Sequence, residues 1–118
     1  MVFYLGALQY HWDDKFIEWY SDELYFPRGS ALGSHAVVIR RSAFLWILRY
    51  AKQMSLPIDD GALSAVCHKF PRRCVVAYPN LVIQDSSLES TIQSSKLHGT
   101  DFWNRSSRFH WNLSDYSM

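Results

Sequence analysis

The chain has few of the features that identify a secreted, membrane-bound or nucleic-acid-binding protein. Its 118 residues include only two cysteines, Cys67 and Cys74, so we predict two buried thiols rather than a disulfide framework. The formal net charge of +1 provides no cluster of positive charge for nucleic acid or anionic lipid. No apolar run approaches the length of a membrane span, and the N-terminus does not resemble a signal peptide, so we predict a cytoplasmic protein.

The sequence also lacks the motifs of common catalytic and metal sites. The five histidines are scattered, and no Asp-x-Asp sequence occurs. The two acidic pairs, Asp13-Asp14 and Asp59-Asp60, consist of adjacent residues, whose side chains point in different directions on most backbones. A Walker-type phosphate loop and a Gly-x-Ser-x-Gly elbow are both absent. We therefore predict no metal site in this chain.

The residues that are present indicate one domain with alternating strands and helices. The composition is 48% hydrophobic and 19% charged, which is typical of a single globular domain covering residues 1–118. Apolar periodicity predicts strands at 2–7 and 34–41, a short strand near 23–26, and helices within 42–54 and 59–70. Two short extended pieces follow at 74–79 and 80–84. This order predicts an α/β fold, although the first strand has no obvious sequential neighbour.

The same periodicity predicts which residues are buried. We expect the strand at 34–41 to bury a continuous run of Val37, Val38 and Ile39, and Ser42 to cap the helix that follows. The inward residues of that helix are predicted to be Phe44, Leu45, Ile47, Leu48, Ala51 and Met54. Those of the second helix are Leu63, Val66, Cys67 and Phe70. Beyond Gln84 the apolar pattern fades, and residues 93–118 form a polar and aromatic C-terminal extension.

Residues 56–66, LPIDDGALSAV, allow two interpretations of their adjacent aspartates. In the first, Asp59 caps a helix and Asp60 lies in the first turn against the helix dipole, which together contribute about 1–2 kcal/mol. In the second, one carboxylate faces a cleft and accepts a proton from a substrate hydroxyl. Capping uses only one carboxylate, and the spacing alone does not separate the two interpretations.

Aromatic residues make up 16% of the chain and include five tryptophans. Four of these, Trp12, Trp19, Trp103 and Trp111, have further aromatic residues nearby in sequence. Their flat apolar faces can stack on sugar rings or bases, or they can fill a small core and its edges. We predict the second role for most of them.

Three motifs follow one another along the chain. They are GSHAVVIRRSAFLWIL at 33–48, LPIDDGALSAV at 56–66, and VVAYPNLVIQDSSLEST at 75–91. Their order and spacing resemble the C-terminal half of glycosyltransferase family 25, which includes lipooligosaccharide-type transferases and collagen galactosyltransferase-like proteins. The opening YLGALQ also resembles the short YLG strand of that family, so the resemblance covers most of residues 3–92.

The resemblance implies a fold, a reaction and a set of ligands. The fold would be the C-terminal half of a GT-A-like three-layer sandwich. The reaction is the transfer of a hexose from a nucleotide sugar, such as a UDP-sugar, to a hydroxyl of a glycan or another acceptor. The parent family usually works with Mn²⁺. The chemistry needs a carboxylate near the acceptor as general base and positive charge near the diphosphate.

The resemblance also assigns candidate site residues. Asp59 occupies the position of the family's Pro-Ile-Asp aspartate and is the candidate catalytic base or acceptor ligand, with Asp60 as its neighbour. The candidate substrate-binding residues are Gly33, Ser34 and His35, which match the loop entering the central strand, and Gln84, which follows the Tyr-Pro strand.

One departure from the family limits these expectations. The acidic Asp-x-Asp region of the family lies before the YLG strand, and this chain begins at that strand. We therefore expect a fragment or a degenerate form of the transferase that does not bind Mn²⁺ alone. The alternative is a non-catalytic carbohydrate-binding or protein-interaction module. A missing half would expose the edge of the first strand and its apolar face, which predicts self-association.

Overall fold

The computed structural model describes residues 1–28, 31–53 and 56–83, which form a five-stranded mixed sheet and two α-helices. The strands are β1 (Val2–Gln9), β2 (Glu18–Ser21), β3 (Leu24–Phe26), β4 (Ala31–Ile39) and β5 (Cys74–Ala77). The helices are α1 (Arg41–Ala51) and α2 (Ser64–Lys69). The chain is therefore an α/β protein, as the sequence predicts. Strand β2 was not predicted, and β4 begins three residues earlier than the predicted strand at 34–41.

Strand β1 lies inside the sheet, whose order is β2-β3-β5-β1-β4. It pairs antiparallel with β4 and parallel with β5, while β5 pairs antiparallel with β3. The expectation of an exposed edge at the first strand is wrong, because β1 gains its neighbours from segments that lie far along the chain. Among the described residues, β2 and β4 are the edge strands.

The two faces of the sheet differ in how they are covered. Val2, Tyr4, Cys74 and Val76 point to one face and are buried against the helices. We call this the helix-covered face. The next residues along the strands point the other way, because side chains alternate in a strand.

The second face, here called the open face, carries Phe3, Leu24, Val38 and Val75. These side chains help to line an apolar hollow of about 470 Å³. Val38 is 53% exposed, so the prediction of a continuous buried run in β4 is wrong. Side chains alternate along the strand, so of the three residues in the predicted run Val37 and Ile39 pack against the core and Val38 does not.

Helix α1 packs on the sheet through a narrow stripe. Ala43 and Ile47, four residues apart and therefore on one face, are its buried residues. The predicted wide inward face is wrong, since Phe44, Leu45 and Leu48 are exposed on the side away from the sheet. Met54 lies outside the described residues. Ser42 does not cap the helix, because Arg40 holds the N-cap position and no side-chain cap hydrogen bond forms.

Helix α2 follows directly from a π-helical turn, Asp59–Leu63. The Leu63 amide donates to the Ile58 carbonyl at 2.9 Å, which is the wide spacing of a π-helix. Val66 and Cys67 are buried, as predicted, and Phe70 packs against the core from a partly buried position. Cys74 is also a buried free thiol, which confirms the prediction for both cysteines.

Residues 78–82 follow β5 and cross over β1. The amides of Leu81 and Val82 donate to the Leu5 carbonyl at 2.7 and 3.2 Å. The side-chain amide of Asn80 is buried and donates to the Ala7 carbonyl at 2.8 Å. The second extended piece that the sequence predicts therefore forms no strand within residues 80–83, but it is attached to β1. Among the described residues, no helix is long and apolar enough to cross a bilayer.

Candidate functional site

A β-bulge interrupts β4 at three of the candidate substrate-binding residues. Between the pairs Gly6–Ala36 and Leu8–Leu32, β1 advances by two residues while β4 advances by four. Gly33, Ser34 and His35 occupy this stretch. Gly33 has a φ of +87°, a conformation that glycine adopts without the strain a side chain would cause. Bulges of this kind redirect side chains at the edges of functional sites.

His35 lies where the bulge meets residues 78–82, here called the crossing segment. A Cβ atom built on Gly6 would stand 2.7 Å from the His35 Nε2 and 1.9 Å from the Val82 carbonyl oxygen. A Cβ on Gly33 would lie 3.1 Å from the His35 Nδ1. The imidazole therefore lies beside two glycines and the backbone of Val82, and His35 as a residue is exposed.

The surroundings of His35 favour the neutral imidazole. Removal of water from the ring lowers its pKa below the usual value, and a hydrogen bond with the Val82 backbone offsets part of that effect. A neutral imidazole has one donor and one acceptor nitrogen, and the bond with Val82 uses one of them, so the other can hydrogen-bond a hydroxyl group at neutral pH.

Asp59 and Asp60 both lie in the first turn of the π-helical segment. The capping interpretation of Asp59 is wrong, because the residue at the N-cap position is Ile58 and no side-chain cap hydrogen bond forms. Asp59 is half-buried and Asp60 is exposed. The π-helical turn packs against β4, so the segment with the two carboxylates and the strand with the bulge are neighbours.

Asp59 acts electrostatically on the core of the helix-covered face. The Tyr4 hydroxyl lies 3.7 Å from the Cys67 sulfur. Burial raises the pKa of the Tyr4 phenol far above its ordinary value, and the Cys67 thiol and the Asp59 charge add to that increase. Hydrogen bonding with Cys74 and burial likewise raise the pKa of the Cys67 thiol. Tyr4 and Cys67 therefore stay protonated.

Four rings form an aromatic cluster at the β2–β3 end of the sheet. Trp19 makes edge-to-face contacts with Tyr25 and Tyr78, at centroid distances of 5.4 and 5.2 Å. Trp12 contacts the same two tyrosines at 5.6 Å. Tyr25 is buried, whereas Trp19 is 47% exposed. Trp12 thus follows the prediction of a packing role, and Trp19 retains an open surface. Trp103 and Trp111 lie outside the described residues.

The described residues do not fit a metal centre. Within residues 1–28, 31–53 and 56–83, no group of three or more His, Cys, Asp or Glu side chains comes together. The Mn²⁺ of the resembled family therefore has no ligand set in this part of the chain. Gln84, a candidate substrate-binding residue, lies outside the described residues.

Two residues that position the site were not predicted from the sequence. Gly6 permits the close approach of the Val82 carbonyl, and Asn80 fixes the crossing segment to Ala7. A glycine inside an apolar strand pattern is a signal of close backbone approach, so Gly6 was recognisable as unusual. Its contact with a residue 76 positions later was not.

Comparison with known proteins leaves the family of this chain open. No family model, no curated protein and no solved structure matches it.

Proposed function

We propose that the chain is a glycosyltransferase-like domain, related to the C-terminal half of family 25, that binds a nucleotide sugar and a hydroxylated acceptor. One observation supports this most strongly. Two motifs that resemble the family, at 33–48 and 56–66, are neighbours in the fold, because the π-helical turn with Asp59 packs against β4 with its bulge. The GT-A-like character of the fold is part of the same proposal.

In this proposal Asp59 is the general base. Its carboxylate accepts the proton of the acceptor hydroxyl while that oxygen forms a bond to the anomeric carbon of the sugar. The bond from the anomeric carbon to the nucleoside diphosphate breaks at the same time, and the diphosphate leaves with the electron pair. A base contributes most when it is oriented and partly shielded from water, which suits the half-buried Asp59 better than the exposed Asp60.

The bulge residues take the role of substrate contacts. Gly33 is buried and lets the backbone turn closely beside the His35 ring. One nitrogen of the neutral His35 ring already hydrogen-bonds with the Val82 backbone, and the other is the one proposed to contact a sugar or ribose hydroxyl. Ser34 and Gln84 belong to the proposed site on the resemblance alone. The proposal uses no metal ion, because the described residues supply no ligand set for one.

Titration calorimetry with a UDP-hexose, with and without Mn²⁺, tests the binding part of the proposal. We expect measurable binding that weakens when His35 is replaced by alanine. If the chain binds no UDP-hexose under either condition, the transferase proposal fails for this polypeptide.

Release of UDP in the presence of a glycan acceptor tests the chemical part. Asp59→Asn should reduce transfer by about 10²–10⁴-fold, the usual contribution of a general base, and leave the circular dichroism spectrum unchanged. Asp60→Asn is the matched control, because it removes the same charge from the adjacent position and should reduce transfer far less. Equal losses in the two variants would contradict the assignment of Asp59.

A second candidate function is a non-catalytic carbohydrate-binding module. The exposed Trp19, whose ring is already held by Tyr25 and Tyr78, favours it. Binding of free saccharides without any binding of UDP-hexose would support the module instead of the transferase.

A further inference from the structure

The β2–β3 hairpin carries a surface hollow away from the proposed catalytic residues. Trp19, Tyr20, Ser21 and Asp22 line this hairpin hollow, which has a volume of about 460 Å³. Its lining combines the Trp19 indole with a hydroxyl and a carboxylate, whereas the Tyr20 ring points to the other face of the strand and packs on Phe26 at 5.7 Å. A volume of this size lies in the range of small-molecule sites, so it accommodates one or two sugar rings.

The indole of Trp19 is oriented before any ligand arrives. Tyr25, which is buried, and Tyr78 both contact it edge to face, at 5.4 and 5.2 Å. Almost half of the Trp19 surface nevertheless remains accessible. A ring that is fixed and half-exposed loses little conformational entropy when a flat ligand face stacks on it.

The polar groups of the hollow are also held in place. The Ser21 hydroxyl accepts a hydrogen bond from the Glu23 amide at 3.2 Å, which fixes the turn that carries Asp22. Ser21 and Asp22 are both exposed. Hydroxyl and carboxylate oxygens beside a flat apolar ring match a pyranose, which has hydroxyls around its edge and C–H groups on its faces.

The charge of the hollow selects between classes of saccharide. Asp22 lies in the lining and Glu23 follows it, so an acidic sugar would meet like charge. Among the described residues, no arginine lines the hairpin hollow, and two arginines are paired with Glu18, Arg28 at 2.9 Å and Arg72 at 2.8 Å. Glu18 also precedes Trp19 on the strand, and therefore points to the opposite face of the sheet.

We propose that the hairpin hollow is a binding site for a neutral saccharide, which stacks on Trp19 and hydrogen-bonds to Ser21 and Asp22. This inference rests on the proposed function in one respect. If the chain is a transferase, the saccharide in the hairpin hollow is a part of the acceptor glycan that lies far from the hydroxyl that reacts. In a binding module the same hollow is the principal site.

Nuclear magnetic resonance titration of the whole chain with lactose, a neutral disaccharide, tests the inference. We expect a dissociation constant of about 1 mM, with the largest shifts at the Trp19 indole N–H and the amides of residues 20–22. Trp19→Leu should weaken binding by about tenfold or more, because leucine is apolar but has no flat face. Trp19→Phe is the matched control and should retain most of the affinity.

Sialyllactose, which carries a carboxylate on the same disaccharide, tests the charge argument. It should bind more weakly than lactose, and Asp22→Asn should narrow the difference. The inference is overturned if lactose does not bind, if Trp19→Leu binds as well as the wild type, or if sialyllactose binds more tightly.

A parallel titration with UDP-hexose keeps this inference distinct from the proposed function. Binding of UDP-hexose that is unchanged in Trp19→Leu, together with lost lactose binding, supports both proposals. Lactose binding without UDP-hexose binding supports the hairpin hollow and overturns the transferase. UDP-hexose binding without lactose binding overturns the hairpin hollow alone.

Discussion

Gly6 and Val82 are in direct backbone contact, since a Cβ on residue 6 would stand 1.9 Å from the Val82 carbonyl oxygen. The contact arises because residues 78–82 cross β1 and donate two amides to the Leu5 carbonyl. It also positions His35, whose ring lies beside both residues. The bulge in β4 and the crossing segment are therefore coupled through one glycine.

Gly6→Ala should be strongly destabilising. The new methyl group meets backbone rather than a movable side chain, so the crossing segment must shift, at a cost of about 2–3 kcal/mol in the free energy of unfolding. Gly61→Ala is the matched control, because its Cβ would lie 3.2 Å from the Leu56 side chain and alanine favours the helical turn. Urea unfolding measures both variants. Similar stabilities for the two would contradict the close contact at Gly6.

Asn80→Ala should release the crossing segment without adding a clash. The substitution leaves the buried Ala7 carbonyl without the 2.8 Å hydrogen bond, which costs about 1–3 kcal/mol. We expect amide hydrogen exchange to accelerate at Leu81 and Val82, which bond to Leu5 in the same segment. Unchanged exchange at these two amides would show that Asn80 does not hold the segment.

His35 should make the protein less stable as the pH falls into the acidic range. Its pKa is lowered in the folded state from the value of 6.5 that applies to the unfolded chain. The unfolded state therefore binds more protons between the two values, and the free energy of unfolding falls as the pH drops below about 6.5. Above that pH His35 is neutral in both the folded and the unfolded state, so it no longer lowers the free energy of unfolding.

Urea unfolding at about pH 7.5 and pH 5.5, on either side of the ordinary histidine pKa, checks this prediction. His35→Gln keeps a hydrogen-bond donor but does not titrate, so it should lose less stability than the wild type over this interval. An equal loss of stability in the wild type and the variant would show that the pH dependence comes from groups other than His35.

Val38→Asp tests whether the chain self-associates through the open face of the sheet. Val38 is 53% exposed and lies with Phe3 and Val75 around the apolar hollow. Sedimentation velocity should show concentration-dependent association of the wild type that the new charge weakens at least several-fold, because a buried unpaired charge is costly. Leu45→Asp, at an 80% exposed position on α1, is the control and should leave association unchanged. The prediction is wrong if the wild type is monomeric or if only the Leu45 variant dissociates.

The sequence predicted elements whose apolar pattern matches their burial. The β-branched and aromatic signals located β1 and β4, although β4 begins three residues earlier than predicted and does not bury a continuous run. The inward face of α2 was predicted correctly at Leu63, Val66 and Cys67, which are buried. The prediction for α1 was wrong because its stripe of apolar residues is wider than its contact with the sheet. An apolar residue indicates that burial is favourable, but it does not identify a partner that covers it.

The sequence motifs made Gly33, His35 and Asp59 candidate site residues, and that assignment stays a prediction. Local chemistry also suggested a cap at Asp59, but in the structure the N-cap position belongs to Ile58. The amides that a cap would bind depend on the hydrogen-bond spacing of the turn, which residue preferences alone do not specify.

The sequence by itself determined the α/β class, two buried thiols and most helix and strand positions, because these depend on local periodicity. Only the tertiary structure placed β1 between β4 and β5, brought Val82 against Gly6 and His35, and left Trp19 half-exposed on its two tyrosines. These features join residues that are distant in sequence. They follow from which surfaces of the chain pack together, and a pattern confined to neighbouring residues contains no information about that pairing.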